Sequence, residues 1–139
     1  MKVEFTVAEE VAIKEVKDLV EFYTDEEFEG YAVEDTYPHV VKASKMGLLI
    51  IGDDMVPTYK LREPIKTESG GIAVEEIKFL TRLTISQRKS LMKGLDPQKD
   101  SFELMMKSFA MIIGQPVAML DKLSRFDLKA LEQIVTLFL

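Results

Sequence analysis

The spacing of apolar residues changes twice along this 139-residue chain, and that change limits the fold more than any other feature. Near both ends, apolar side chains recur every three or four positions, the repeat of a half-buried helix. Between about residues 46 and 82 they run continuously or alternate, the repeat of strands. The order predicts an α+β fold: N-terminal helices, a small antiparallel sheet (a hairpin plus a third strand), and a C-terminal bundle of about four short helices. The length suits a single domain over 1–139. Within it, residues 1–45 form a possible N-terminal extension, about 46–82 the sheet, and 83–139 the helical half.

Local signals place the elements. Ala12, Val16, Leu19, Val20 and Tyr23 share one face, so a helix is expected over about residues 7–23. Thr6 and Glu9 stand at capping-box spacing, and Glu10 precedes Lys14 by four, the favourable order for an ion pair. Residues 25–35 hold six acids and no base and read as a solvated connector or a short exposed helix. Thr36 and Pro38 can start a second helix and Gly47 can end it, with Val40, Val41 and Ala43 inward and Lys42 and Lys45 outward. Leu48 to Ile51, the turn residues Gly52-Asp53-Asp54, and the alternation from Val56 to Arg62 predict a hairpin. Pro57 cannot donate to a ladder, which points to an edge strand, and Pro64 points to that strand's end. Ile72 to Leu80 reads as a third strand, whose slip in apolar phase predicts a bulge near Glu75 and Glu76. Downstream, Thr84 with Gln87, Asp100 or Ser101, Pro116, and Ser124 with Asp127 supply helix starts, and Gly94 and Gly114 supply stops.

The inventory of reactive groups excludes much chemistry. The chain has no cysteine, so disulfides, thiolate metal sites and cysteine nucleophiles are ruled out. Its one histidine, His39, cannot build a multi-histidine metal site. It could serve as a general base with a nearby carboxylate, but a surface or helix-start position explains it more simply. There is no phosphate-cradling glycine loop, dinucleotide fingerprint or nucleophile elbow. No catalytic residue, metal or cofactor is therefore expected. A single constellation bears on enzymatic function. Asp53 and Asp54 on the hairpin turn, with Glu76 and Lys78 on the next strand, could hold a divalent cation for phosphodiester cleavage. Acidic turns and Glu-x-Lys on an exposed strand face account for the same residues, and this half of the chain offers no basic track for a polyanion.

The net charge of −6 argues against nucleic acid as a partner. No apolar run reaches the roughly 20 residues that span a bilayer, and the first residues show no secretion signal, so no membrane partner and a cytoplasmic location are expected. Charge is unevenly spread. Residues 1–63 carry 15 acids against 7 bases, and residues 64–139 carry 9 acids against 11 bases. Head-to-tail self-association would bring Glu26, Glu27 and Glu29 of one copy onto Arg88, Lys89 and Lys93 of another. These bases lie in a wider cluster with Arg82 and Lys99.

Residues 101–113 are apolar nearly all round, with only Ser101, Glu103, Lys107 and Ser108 polar. Phe102, Met105 or Met106, Phe109 and Ile113 make one stripe suited to the core, while Leu104 and Met111 lie off it. The last helix carries two stripes, one with Leu128, Leu131, Val135 and Phe138 and another with Ala130, Ile134 and Leu137. Such helices must be covered on several sides, and a small domain has little interior with which to do it. Leu104, Met105, Phe109, Met111, Met119, Ile134, Leu137 and Phe138 are accordingly expected to form a partner-binding or oligomer interface. The flexible thioethers would accommodate varied apolar surfaces.

The block Pro57-Thr58-Tyr59-Lys60-Leu61-Arg62-Glu63-Pro64 resembles a feature of the small tail assembly chaperones of Mu-like and related tailed phages. Gly114-Gln115-Pro116, Leu120-Asp121-Lys122-Leu123, Asp127, Ile134, Val135 and Phe138-Leu139 look like the same family. The resemblance covers roughly residues 56–139, and the first 45 or so residues depart from it. It implies a non-enzymatic chaperone, made in the bacterial host cell, that coats the helical tape-measure protein before the tail tube polymerises. Two neighbouring readings are a small acidic secretion-type chaperone and a structural subunit of a virion.

Overall fold

The computed structural model describes residues 5–27 and 32–139. The elements run α1 (Glu9–Tyr23), α2 (Ala32–Thr36), α3 (Pro38–Lys45), β1 (Leu49–Ile51), β2 (Pro57–Lys66), β3 (Ile72–Lys78), α4 (Ile85–Met92), α5 (Ser101–Ile113), a 3-10 helix (Val117–Lys122) and α6 (Arg125–Val135). This is an α+β fold with a three-stranded antiparallel sheet and helices at both ends.

The N-terminal helices belong to the core. α3 packs against both α1 and α6, and one cluster of buried side chains runs from Ile13 through Val40, Tyr59, Ile77 and Ile112 to Phe138. The described part of residues 1–45 therefore shares one buried cluster with the sheet and the C-terminal helices. Two local expectations at this end give way to a tertiary contact. Thr6 and Glu9 form no capping box: the helix N-cap is Ala8, without a side-chain bond. Lys45 is not exposed; its ammonium donates to Glu9 at 3.0 Å and Glu34 at 3.2 Å. Glu9 thus ties α1 to α3 in place of capping its own helix. Lys14 lies 3.9 Å from Asp18, and no Glu10–Lys14 pair forms among the described ion pairs.

The sheet order is β1-β2-β3, so β2 is central and Pro57 does not mark an edge. Pro57 is the first residue of its strand, opposite Ile51, where a missing N–H costs least. Nor does Pro64 end the strand. Pairing of β2 with β3 is regular from Thr58↔Lys78 to Lys60↔Glu76, then resumes at Ile65↔Val74. Four β2 residues, 61–64, thus face one β3 residue, Glu75. The irregularity falls opposite the position expected, but the extra residues are on β2, with Pro64 among them. The hairpin turn places its one left-handed non-glycine residue at Met55, φ 63°, whose carbonyl accepts from the Tyr23 hydroxyl at 2.8 Å.

In the C-terminal half, Thr84 and Gln87 complete a reciprocal capping box on α4. Gly114 closes α5 in the left-handed region, φ 68°. The Leu80 N–H donates to the Ile112 carbonyl at 2.8 Å, which fixes the end of α5 to the strand leaving the sheet. No helix among the described residues is long and apolar enough to cross a membrane.

Candidate protein-binding surfaces

The expected interface residues divide sharply. Phe109, Ile134, Leu137 and Phe138 are buried, none more than 6% exposed, and so offer a partner almost no surface, although Phe109 forms part of a groove floor. Phe138 is held by edge contacts with the Tyr23 ring at 4.7 Å and by the Phe79 ring at 5.8 Å. Periodicity alone cannot tell which of two apolar stripes faces inward when a third layer, here α1 and the sheet, covers the second. Leu104, Met111 and Met119 are half-buried, and Met105 is 50% exposed. Phe102, placed in the core by its stripe, is 70% exposed: it sits in the first turn of α5, where no neighbouring element reaches over it.

Two shallow apolar grooves flank Leu139, which is itself 54% exposed. The larger, about 290 Å³, lies between α5 and the end of α6 and is lined by Met105, Met106, Phe109, Val135 and Leu139 with Glu132 and Thr136 at its border. The smaller, about 180 Å³, lies between α4 and α5 and is lined by Leu83, Leu91, Met92, Leu104 and Leu139 with Arg88 and Ser108. α4 contributes only Leu91 to the core, which leaves it as a ledge along α5. A third groove of about 370 Å³ on the other side of that ledge is lined by Leu91, Ala110, Met111, Pro116 and Val117. The charged residues expected for self-association are exposed where described: Glu26 and Glu27 before α2, and Arg88, Lys89 and Lys93 on and after α4. Glu29 lies outside the described residues.

A second surface has the opposite character. Between α3 and α6, Pro38, His39, Lys42, Arg125, Phe126 and Lys129 line a groove of about 460 Å³. The Phe126 ring lies under the Lys42 ammonium at 5.9 Å and the Arg62 guanidinium at 5.0 Å. The bases of this groove escaped the sequence reading because they come from separate segments 80 and more residues apart.

Asp127 carries the densest polar geometry among the described residues, and it is structural. Fully buried, its carboxylate accepts from the Tyr59 hydroxyl at 2.7 Å, the Arg62 N–H at 3.0 Å, the Glu63 N–H at 3.1 Å and the Ser124 hydroxyl at 3.0 Å. Its own N–H donates back to the Ser124 oxygen at 3.1 Å. Arg62 and Glu63 lie in the stretch of β2 whose ladder pairing is interrupted. The helix carboxylate therefore satisfies part-buried strand N–H groups that the bulge releases from the ladder. Burial, and then the bond to Asp127, push the Tyr59 phenol well above the usual tyrosine range. Every carboxylate lone pair has a donor, and the group opens onto no groove described above.

Asp53, Asp54, Glu76 and Lys78 do not assemble into a cation site. Asp54 accepts from the Val56 N–H at 3.1 Å within the turn, while Glu76 and Lys78 lie opposite Lys60 and Thr58 on the far edge of β2. Among the described residues no group of three His, Asp or Glu side chains could hold a metal ion. No family model, curated protein or solved structure matches the chain.

Proposed function

We propose that this protein is a non-catalytic chaperone of phage or prophage tail assembly, acting in the bacterial cytoplasm by sheltering apolar stripes of the helical tape-measure protein. The observation that supports this most is the exposed apolar surface of α5 and its neighbours. Met105, Met92 and Leu139, between 43% and 54% exposed, line the two grooves that meet at Leu139, and Phe102, 70% exposed, stands on the first turn of α5. A client helix laying one apolar face there would anchor at three- and four-residue intervals. Completing the burial of each of these side chains contributes roughly 1 kcal/mol. Micromolar binding corresponds to about 8 kcal/mol, so the surface must act as a set and many copies must share a long client.

The resemblance of residues 56–139 to tail assembly chaperones names the client. The test is direct: wild-type protein and the Met105→Glu variant are titrated with the tape-measure polypeptide encoded alongside. Micromolar binding by the wild type, weakened at least about tenfold by a charge in the groove, is the expected result. No binding by the wild type would remove the reading.

A further inference from the structure

We infer that the α3–α6 groove is a self-association site that receives the acidic segment 25–27 of a second copy of this chain. The groove concentrates Lys42, Arg125 and Lys129 around an aromatic floor, in a chain whose net charge is −6. None of these three cations forms an ion pair among the described residues. No acid lines the groove, and Phe126 offers a ring already faced by two cations.

The complementary charge is on the same molecule. Asp25, Glu26 and Glu27 are exposed and lie outside helix and strand, and they too form no ion pair among the described residues. Segment 25–27 follows the end of α1 and contributes nothing to the groove's own lining. The groove lies along the N-terminal half of α6, at Arg125, Phe126 and Lys129, and against the start of α3 at Pro38 and His39. A two-fold axis between two copies would set each acidic segment on its partner's cations, the arrangement of an isologous dimer.

This relocates the basic half of the expected self-association from Arg88, Lys89 and Lys93 to the α3–α6 groove. It concerns the self-association that the chaperone reading calls for, but its test uses the chain alone, without client, so either can fail while the other stands.

The experiment is sedimentation equilibrium of the full chain at low and high salt. Wild type is expected to dimerise at low salt and to weaken as salt rises. Lys129→Glu and Glu26→Lys should each raise the dimer dissociation constant at least about tenfold, and an equimolar mixture of the two should recover a heterodimer. Arg88→Glu should leave the constant unchanged. Both groove and segment positions are exposed, and circular dichroism of each variant confirms that it is folded. A monomeric wild type, a dimer indifferent to Lys129→Glu, or a mixture that stays monomeric would each overturn the assignment.

Discussion

Replacing Asp127 with alanine removes the acceptor of four donors at once, the buried Tyr59 Oη–H and the part-buried Ser124 hydroxyl and N–H groups of Arg62 and Glu63. Each buried unsatisfied donor costs on the order of 1–3 kcal/mol, so Asp127→Ala should lose at least about 3 kcal/mol of stability in urea unfolding. A loss under about 1 kcal/mol would show that the bulge finds other acceptors. Tyr59 makes a separate prediction through pH. Its folded phenol is held protonated above the range where the unfolded phenol ionises. Unfolding therefore releases a proton above about pH 10, and stability should fall there by about 1.4 kcal/mol per pH unit from this group. Below that pH the group contributes no slope. Tyr59→Phe should flatten the alkaline decline only in part, because burial raises Tyr23 and Tyr37 and a hydrogen bond to Glu9 raises Lys45 as well. An unchanged slope in Tyr59→Phe would contradict this.

At the scale of elements, what could be read along the chain was what neighbours in sequence decide. The α4 capping box, the Ser124 cap of α6, the proline start of α3 and the left-handed stop at Gly114 all formed where short-range chemistry pointed. The failures were each a distant partner outbidding a local one. Glu9 left its capping role for Lys45 of α3. Pro57 and Pro64 sit in a central strand because the first heads the ladder and the second lies in a bulge bridged by Asp127. The α3 start shows the same principle in a testable form. Tyr37 provides no side-chain cap, and the free N–H groups of His39 and Val40 donate to Gln133 Oε1 of α6 at 3.0 and 3.1 Å. A helix cap supplied from 93 residues away leaves no local signature. Gln133→Ala should cost about 1–2 kcal/mol by thermal unfolding, and Gln133→Glu, which keeps the acceptor, should cost less. Equal losses for the two would mean that packing of the side chain, not its oxygen, matters.

For the molecule as a whole, apolar content in the C-terminal half was legible but its partition was not. Ile134, Leu137 and Phe138 look as available as Met105 along the sequence, and only the packing of α1, β3 and α6 around Phe138 decides between them. What remains outside is a smaller set than the helix stripes suggest: Met105, Met92 and Leu139 lining shallow grooves, and Phe102 on the first turn of α5. Because these side chains are largely exposed, charging one should scarcely alter folding while strongly weakening any apolar client. Calorimetric titration of the co-encoded tape-measure polypeptide into wild type and Met105→Glu, with unfolding curves run on both, separates the two effects. Micromolar association that drops at least about tenfold in a variant of unchanged stability is expected. Absent association with wild type, or equal affinity for both proteins, would contradict a client-binding role for this surface.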